Sequence, residues 1–216
     1  KGMQMFTSEN VALSDPRLET VYSHYRHNLA DIVAILQDKG AHVILSTVPV
    51  NLRDSAPFSS THTPGLSPAQ VTQWEDALNQ ANRRLTEENW PAAISLLQEA
   101  LSIDPEYAEA HFQMAVAQEG MQDYEKAAMH LKRARDLDSL RFRADSHINS
   151  IVRSVASEFN QSPLTLVDSA AAFTAESQPG QPGWNLFLEH VHYDFGGDYV
   201  LAREFSQAIL ADLGAT

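Results

Sequence analysis

The chain has no cysteine, which excludes disulfides, a thiol nucleophile and thiolate metal sites but leaves the compartment open. It has no Lys/Arg cluster, and its 15 basic residues are outnumbered by 28 acidic ones, for a net charge of -13. Nucleic-acid binders present a basic face to phosphate, so that partner class is excluded. No apolar run approaches the roughly 18 residues that a membrane helix needs, and no signal peptide opens the chain. The opening Lys1-Gly2-Met3-Gln4 reads as the middle of something, so an upstream part is expected to precede it. What is present is 44% hydrophobic residues over 216 positions, enough to bury the core of one large domain or two small ones.

Residues 1–14 carry no clear pattern. Asp15-Pro16 reads as a helix start, with Asp as N-cap and Pro in the first turn. Leu18, Val21, Tyr22, Tyr25, Leu29, Ile32, Val33 and Leu36 then recur at helical spacing, and Gly40 ends the run. The nearly continuous apolar stretch 41–50 suits a strand buried on both faces of a parallel sheet. Asn51 and Arg53 follow directly, where open α/β sheets place their ligands, and are candidate substrate-binding residues. Ser55 to Leu66 reads as a linker by its Ser, Thr and Pro content. Ser67-Pro68-Ala69-Gln70 carries the capping-box pattern of a new helix.

The middle repeats. Ala81, Trp90, Ala93, Leu97, Ala100, Ile103 and Asp104 recur thirty-four positions later as Ala115, Tyr124, Ala127, Leu131, Ala134, Leu137 and Asp138. Small residues let paired helices approach, while aromatic and leucine positions fill between them. Period and pattern resemble the tetratricopeptide repeat, a helix–turn–helix unit. Ser139 stands where Pro105 of the first repeat would predict a proline. Residues 140–159 are expected to add a closing helix. After the repeats, Leu164-Thr165-Leu166-Val167 reads as a short buried strand ending in Asp168, and 178–183 as a loop. The last helix has Val200, Leu201, Phe205, Ala208, Ile209 and Leu213 on one apolar face.

Between that loop and the last helix lies F-L-E-H-V-H-Y-D-F-G-G, residues 187–197. Glu189 precedes His192 by three positions, a spacing that suits a carboxylate holding one imidazole nitrogen while the other faces substrate. A metal site is the alternative, because His190 and His192 share a side of an extended segment near Asp194; no third ligand is fixed by spacing, so no metal is assigned. The V-I-L-S-T-V-P strand, the L-V-D strand and the Glu189–His192 block together resemble the C-terminal half of SGNH/GDSL hydrolases, specifically members that carry tetratricopeptide repeats. The resemblance covers roughly 15–58 and 164–213. It implies His192 as general base and Glu189 as its orienting acid, where the family usually has Asp.

The resemblance also implies a serine nucleophile and an oxyanion Asn, yet no G-D-S-like or G-x-N-D-like block occurs. Asp54-Ser55 and Asp168-Ser169 lack a preceding glycine and read as structural. The expected fold is therefore a partial SGNH-like α/β domain, with strands near 41–50 and 164–167, interrupted by an all-α repeat insertion. Its segments are 1–66, 67–160 and 161–216. The expected function is the acid–base part of an esterase, or of an acyltransferase with the same acid–histidine logic, acting on an ester-bearing small molecule or glycan, with the nucleophile upstream or on another chain. This chain alone is then inactive, and no cofactor is expected. The resemblance also points to a bacterial cell envelope. The other class of function is a protein-interaction scaffold, with a protein or peptide partner on the repeats.

Overall fold

The computed structural model describes residues 9–159 and 163–214; the opening Lys1-Gly2-Met3-Gln4 lies outside them. Its elements are α1 (Arg17–Asp38), β1 (Val43–Ser46), α2 (Pro68–Thr86), α3 (Trp90–Ile103), α4 (Ala108–Gly120), α5 (Tyr124–Leu137), α6 (Ser146–Glu158), β2 (Leu164–Val167), α7 (Ser169–Glu176) and α8 (Phe195–Asp212). The fold is thus mostly helical, with two short strands. They divide between two compact units: one joins residues 9–13 to Ser55–Phe142, the other joins Ser14–Asp54 to residues 143–159 and 163–214.

The first unit is two helical hairpins, α2–α3 and α4–α5. Ser67 caps α2 through the full capping box with Gln70. The next hairpins turn by the same device twice. Asn89 and Asp123, one repeat apart, accept the Ala92 and Lys126 N–H groups as N-caps. Just before them, Glu88 and Gln122 take the left-handed conformation, at φ 54 and 61. No glycine marks either turn; the caps and the packing hold non-glycine residues there. Between the helices, fully buried Ala81, Ala93, Leu97 and Ala117 pack with Met114, and Trp90 closes over them. Gly120 has a packing reason, since a Cβ there would lie 2.4 Å from the Trp90 ring. A second cluster holds Trp74, Ala77 and Ala100 against Ile103 and Tyr107.

This unit begins earlier and ends sooner than residues 67–160. Ser55 to Leu66 belongs to it and lies along the repeats, as Ser139 N–H donating to the Ser59 carbonyl at 3.0 Å illustrates. Helix α6, expected to close the repeats, packs instead on α1 and both strands in the second unit. Its amphipathic pattern marks a buried face correctly but does not name the surface that covers it. Asp145 caps α6 by accepting the Ile148 N–H at 2.9 Å, and its carboxylate also accepts the Tyr22 hydroxyl from α1.

In the second unit β1 and β2 pair in parallel, Val43 opposite Leu164 and Ser46 opposite Val167. The strand is shorter than the apolar run 41–50. The Thr47 N–H makes the last bond to β2, to the Val167 carbonyl at 3.2 Å; beyond it Asn149 of α6 takes the Val48 N–H at 2.8 Å and gives its amide to the Val48 carbonyl at 3.0 Å. A side chain thus replaces the neighbouring strand as hydrogen-bond partner. Burial on both faces is also incomplete, because Ile44 and Leu45 are half-buried and Leu166 is exposed. Two strands form a slice of parallel α/β packing; an SGNH-like sheet is not shown. No described helix is long and apolar enough to cross a membrane.

Candidate functional site

The Glu189–His192 loop is built on aromatic packing. Phe173, Phe187 and Tyr193 meet with ring centroids 5.1–5.5 Å apart, and Phe187 pairs with Tyr193 as an antiparallel bridge. The Leu188 N–H donates to the His192 carbonyl at 2.8 Å, so 187–193 closes on itself as a tight loop. Asp194 then caps α8 through the Gly197 N–H at 2.9 Å. Gly197 is required by proximity: a Cβ would sit 2.4 Å from the Leu186 carbonyl oxygen. Of the glycine pair, Gly196 is under less pressure, with its nearest neighbour at 3.2 Å.

The loop brings the two expected residues together. Glu189 Oε1 lies 2.7 Å from His192 Nδ1, and the same carboxylate accepts the backbone N–H groups of Val191 and His192. Its other oxygen contacts His190 Nδ1. Partial burial would raise the Glu189 carboxyl. The backbone N–H groups of His192 and Val191, the His192 ring and the charge of His190 outweigh it and hold the group down at about 2. With Nδ1 facing the carboxylate, His192 Nε2 is left outward on a side chain 78% exposed. That is the orientation in which an imidazole can take a proton.

Asn51 has a different task from the one expected of it. It is completely buried and cannot meet a substrate directly. Its amide donates to the Glu189 carbonyl at 3.2 Å, its backbone N–H to the His190 carbonyl at 3.1 Å, and its Oδ1 accepts the Asp54 N–H at 2.9 Å. Buried Arg143 donates to the Asn51 carbonyl at 3.0 Å. Asp54 in turn accepts the Trp184 N–H at 2.7 Å. The turn 51–54 is therefore the support of the histidine-bearing loop. Arg53 is exposed there, its backbone N–H bonded to the Pro182 carbonyl at 3.0 Å.

The Asp168-Ser169 pair is structural in its geometry. Asp168 caps α7 and is gripped by Arg153 at 2.9 and 3.0 Å, and the buried Ser169 hydroxyl lies 2.7 Å from that of Ser46. Among the described residues no group of three or more His, Cys, Asp or Glu side chains could hold a metal ion.

Four histidines without neighbours in the sequence have partners in the structure. His42 meets Asp212 at 2.9 Å, and His62 meets buried Asp104 at 2.7 Å. His111 and His130 face each other Nδ1 to Nδ1 at 2.8 Å. His111 Nε2 lies 3.0 Å from the Pro105 carbonyl, which can only accept. Nε2 therefore carries the His111 proton, and His130 donates between the rings. Burial, then the neighbouring His111, holds the His130 imidazole down at about 4. Sequence separation hid each of these pairs; nothing local signals them.

The stacked hairpins, with their recurring caps and left-handed turns, define a helical-repeat unit. Residues 84–142 match the tetratricopeptide repeat family. No curated protein and no solved structure matches the chain. The comparisons thus bear on the repeats, and none points to an SGNH/GDSL hydrolase.

Proposed function

We propose that the chain is a protein-interaction scaffold whose repeat unit holds a polypeptide partner. The observation that carries this reading is the tetratricopeptide match over 84–142, on a unit whose two hairpins are complete. Repeat units of this kind bind extended segments on their surfaces. Residues 55–142 carry thirteen acidic side chains against seven basic ones, which favours a basic or polar partner. Affinity capture tests it with two variants. Charge reversal at exposed Glu75, Asp76, Glu99 and Glu125 should release the partner, whereas His192→Ala should retain it. Retention unchanged by the four reversals would remove the repeats from the interaction.

A second reading is favoured by the 2.7 Å Glu189–His192 contact: the loop supplies the general base and orienting acid of an SGNH-type ester hydrolysis. The serine and oxyanion donors would come from another segment or chain, and the substrate would be an ester-bearing small molecule or glycan. In this reading His192 Nε2 takes the serine proton as the oxygen attacks the ester carbonyl, and Glu189 steadies the imidazolium that results. Nitrogen-15 NMR at pH 8 should find His192 protonated at Nδ1, and Glu189→Gln should erode that preference. An intact chain with His192 mainly in the Nε2–H form would rule the base out.

A further inference from the structure

The stretch Phe58–Thr63 has linker composition, yet the repeats hold it along its length. Two carboxylates one repeat apart do most of the holding. At the end of α5, buried Asp138 accepts the Phe58 N–H at 2.9 Å and the Ser59 N–H at 3.1 Å. At the end of α3, fully buried Asp104 accepts the Thr63 hydroxyl at 2.6 Å and meets His62 Nδ1 at 2.7 Å. Between them the Ser60 hydroxyl accepts the Glu109 N–H at 3.0 Å, at the start of α4. Two rings are seated as well. Phe58 packs edge-on against Phe142 at 5.3 Å, and His62 sits 4.6 Å from Trp74 and 4.8 Å from Tyr107.

The chemistry of this contact is that of peptide recognition. A buried carboxylate must be supplied with donors, and here they are mainly groups that an extended peptide presents: backbone N–H groups and a hydroxyl. Main-chain bonds of this kind give affinity, and side-chain slots give selectivity. The strap itself is only half-buried and has no helix or strand of its own, so it covers the ledge without being part of a packed element.

We propose that the ledge carrying Asp104 and Asp138 is a peptide-binding surface occupied in cis by Phe58–Thr63. Its exchange partner is an extended segment of another protein with the same chemistry: an aromatic residue, a ring or imidazole four positions later, and a hydroxyl next to it. This rests on the scaffold reading for its use. It adds where the partner docks and what it displaces.

The test uses the full chain with residues 57–63 replaced by a Gly/Ser stretch of equal length, titrated with a synthetic peptide of residues 56–64 while Trp74 fluorescence is followed. The peptide should bind saturably, and adding Asp138→Asn should weaken it by about tenfold, the scale of a lost charge-assisted hydrogen bond. A folded replaced chain that leaves the peptide unbound at millimolar concentration overturns the proposal. Hydrogen exchange on the native chain decides independently, even where the replaced chain fails to fold. The Phe58, Ser59 and Thr63 amides should exchange well ahead of those in α4 and α5. Exchange only together with those helices would make the strap permanent and overturn exchangeability. A partner captured through the repeats but indifferent to the peptide would refute the ledge and leave the scaffold reading intact; peptide exchange without a captured partner would do the reverse.

Discussion

The two units treat their apolar side chains differently. Among the described residues the repeat unit exposes Val116, Met121 and Met129 as its large hydrophobics. The α/β unit exposes many more, including Ile32 and Ile35 on α1, Leu166 on β2, and Phe195, Tyr199 and Leu213 on α8, with Phe195 88% in solvent. A repeat closes its interior with neighbours in sequence, so each hairpin finds its partner within about one period. A parallel strand pair needs distant segments on its faces and edges, and here it has two strands and four helices to draw on. The comparison explains why composition alone, the same acidic and moderately apolar mix throughout, gave no warning of the contrast.

The widest separation of the two should come from coring out one of them. Leu97→Ala removes a fully buried side chain from the repeat core and should cost about 3–4 kcal/mol. In urea, fluorescence from Trp74 and Trp90 should then report unfolding ahead of Trp184. Coincident transitions for all three would merge the units into one cooperative body. Next in size is Gly197→Ala, whose methyl group would meet the Leu186 carbonyl oxygen at 2.4 Å. It should cost about 2 kcal/mol and disorder the 187–193 loop, read as loss of the Glu189–His192 contact by NMR, with the repeats untouched.

Acid should act on the repeats more gently. His130 is held at about 4 against an ordinary 6.5. Above 6.5 folded and unfolded chains are both neutral at this ring. As pH falls below 6.5 the unfolded chain takes a proton that the folded one refuses, so stability drops until about 4 and then levels. For a partly exposed ring the loss should be about 1–2 kcal/mol. Urea midpoints at pH 7 and pH 5 should show it, and His130→Gln should flatten the difference. The smallest effect expected is a gain: Gln122→Gly relieves a left-handed turn residue and should raise the repeat midpoint by up to about 1 kcal/mol. An equal or lower midpoint would mean that the Gln122 side chain holds the turn.

The same contrast governs what could be read in advance. The repeats were legible because Ala81, Leu97 and Asp104 each announce themselves again one period later. Glu189 and His192 were legible for the same reason, being three apart on one loop. Asn51 was not: a polar residue past a strand end suggests a ligand contact, and only the folded chain reveals that its amide is spent on the Glu189 and Asp54 backbone. Ser55 to Leu66 misled for the opposite cause. Its composition describes a segment with no structure of its own, which is true, while the carboxylates that hold it lie some forty to eighty positions away.

That strap sets the rule for dissecting the protein. A repeat fragment cut at Ser67, the first residue of the visible helical pattern, would strip Asp104 and Asp138 of the amide and hydroxyl donors that residues 58–63 bring them. One begun at Ser55 keeps them. The excised piece should include its own bound peptide, and where the scissors fall upstream decides whether the fragment is a closed module or one with an empty seat.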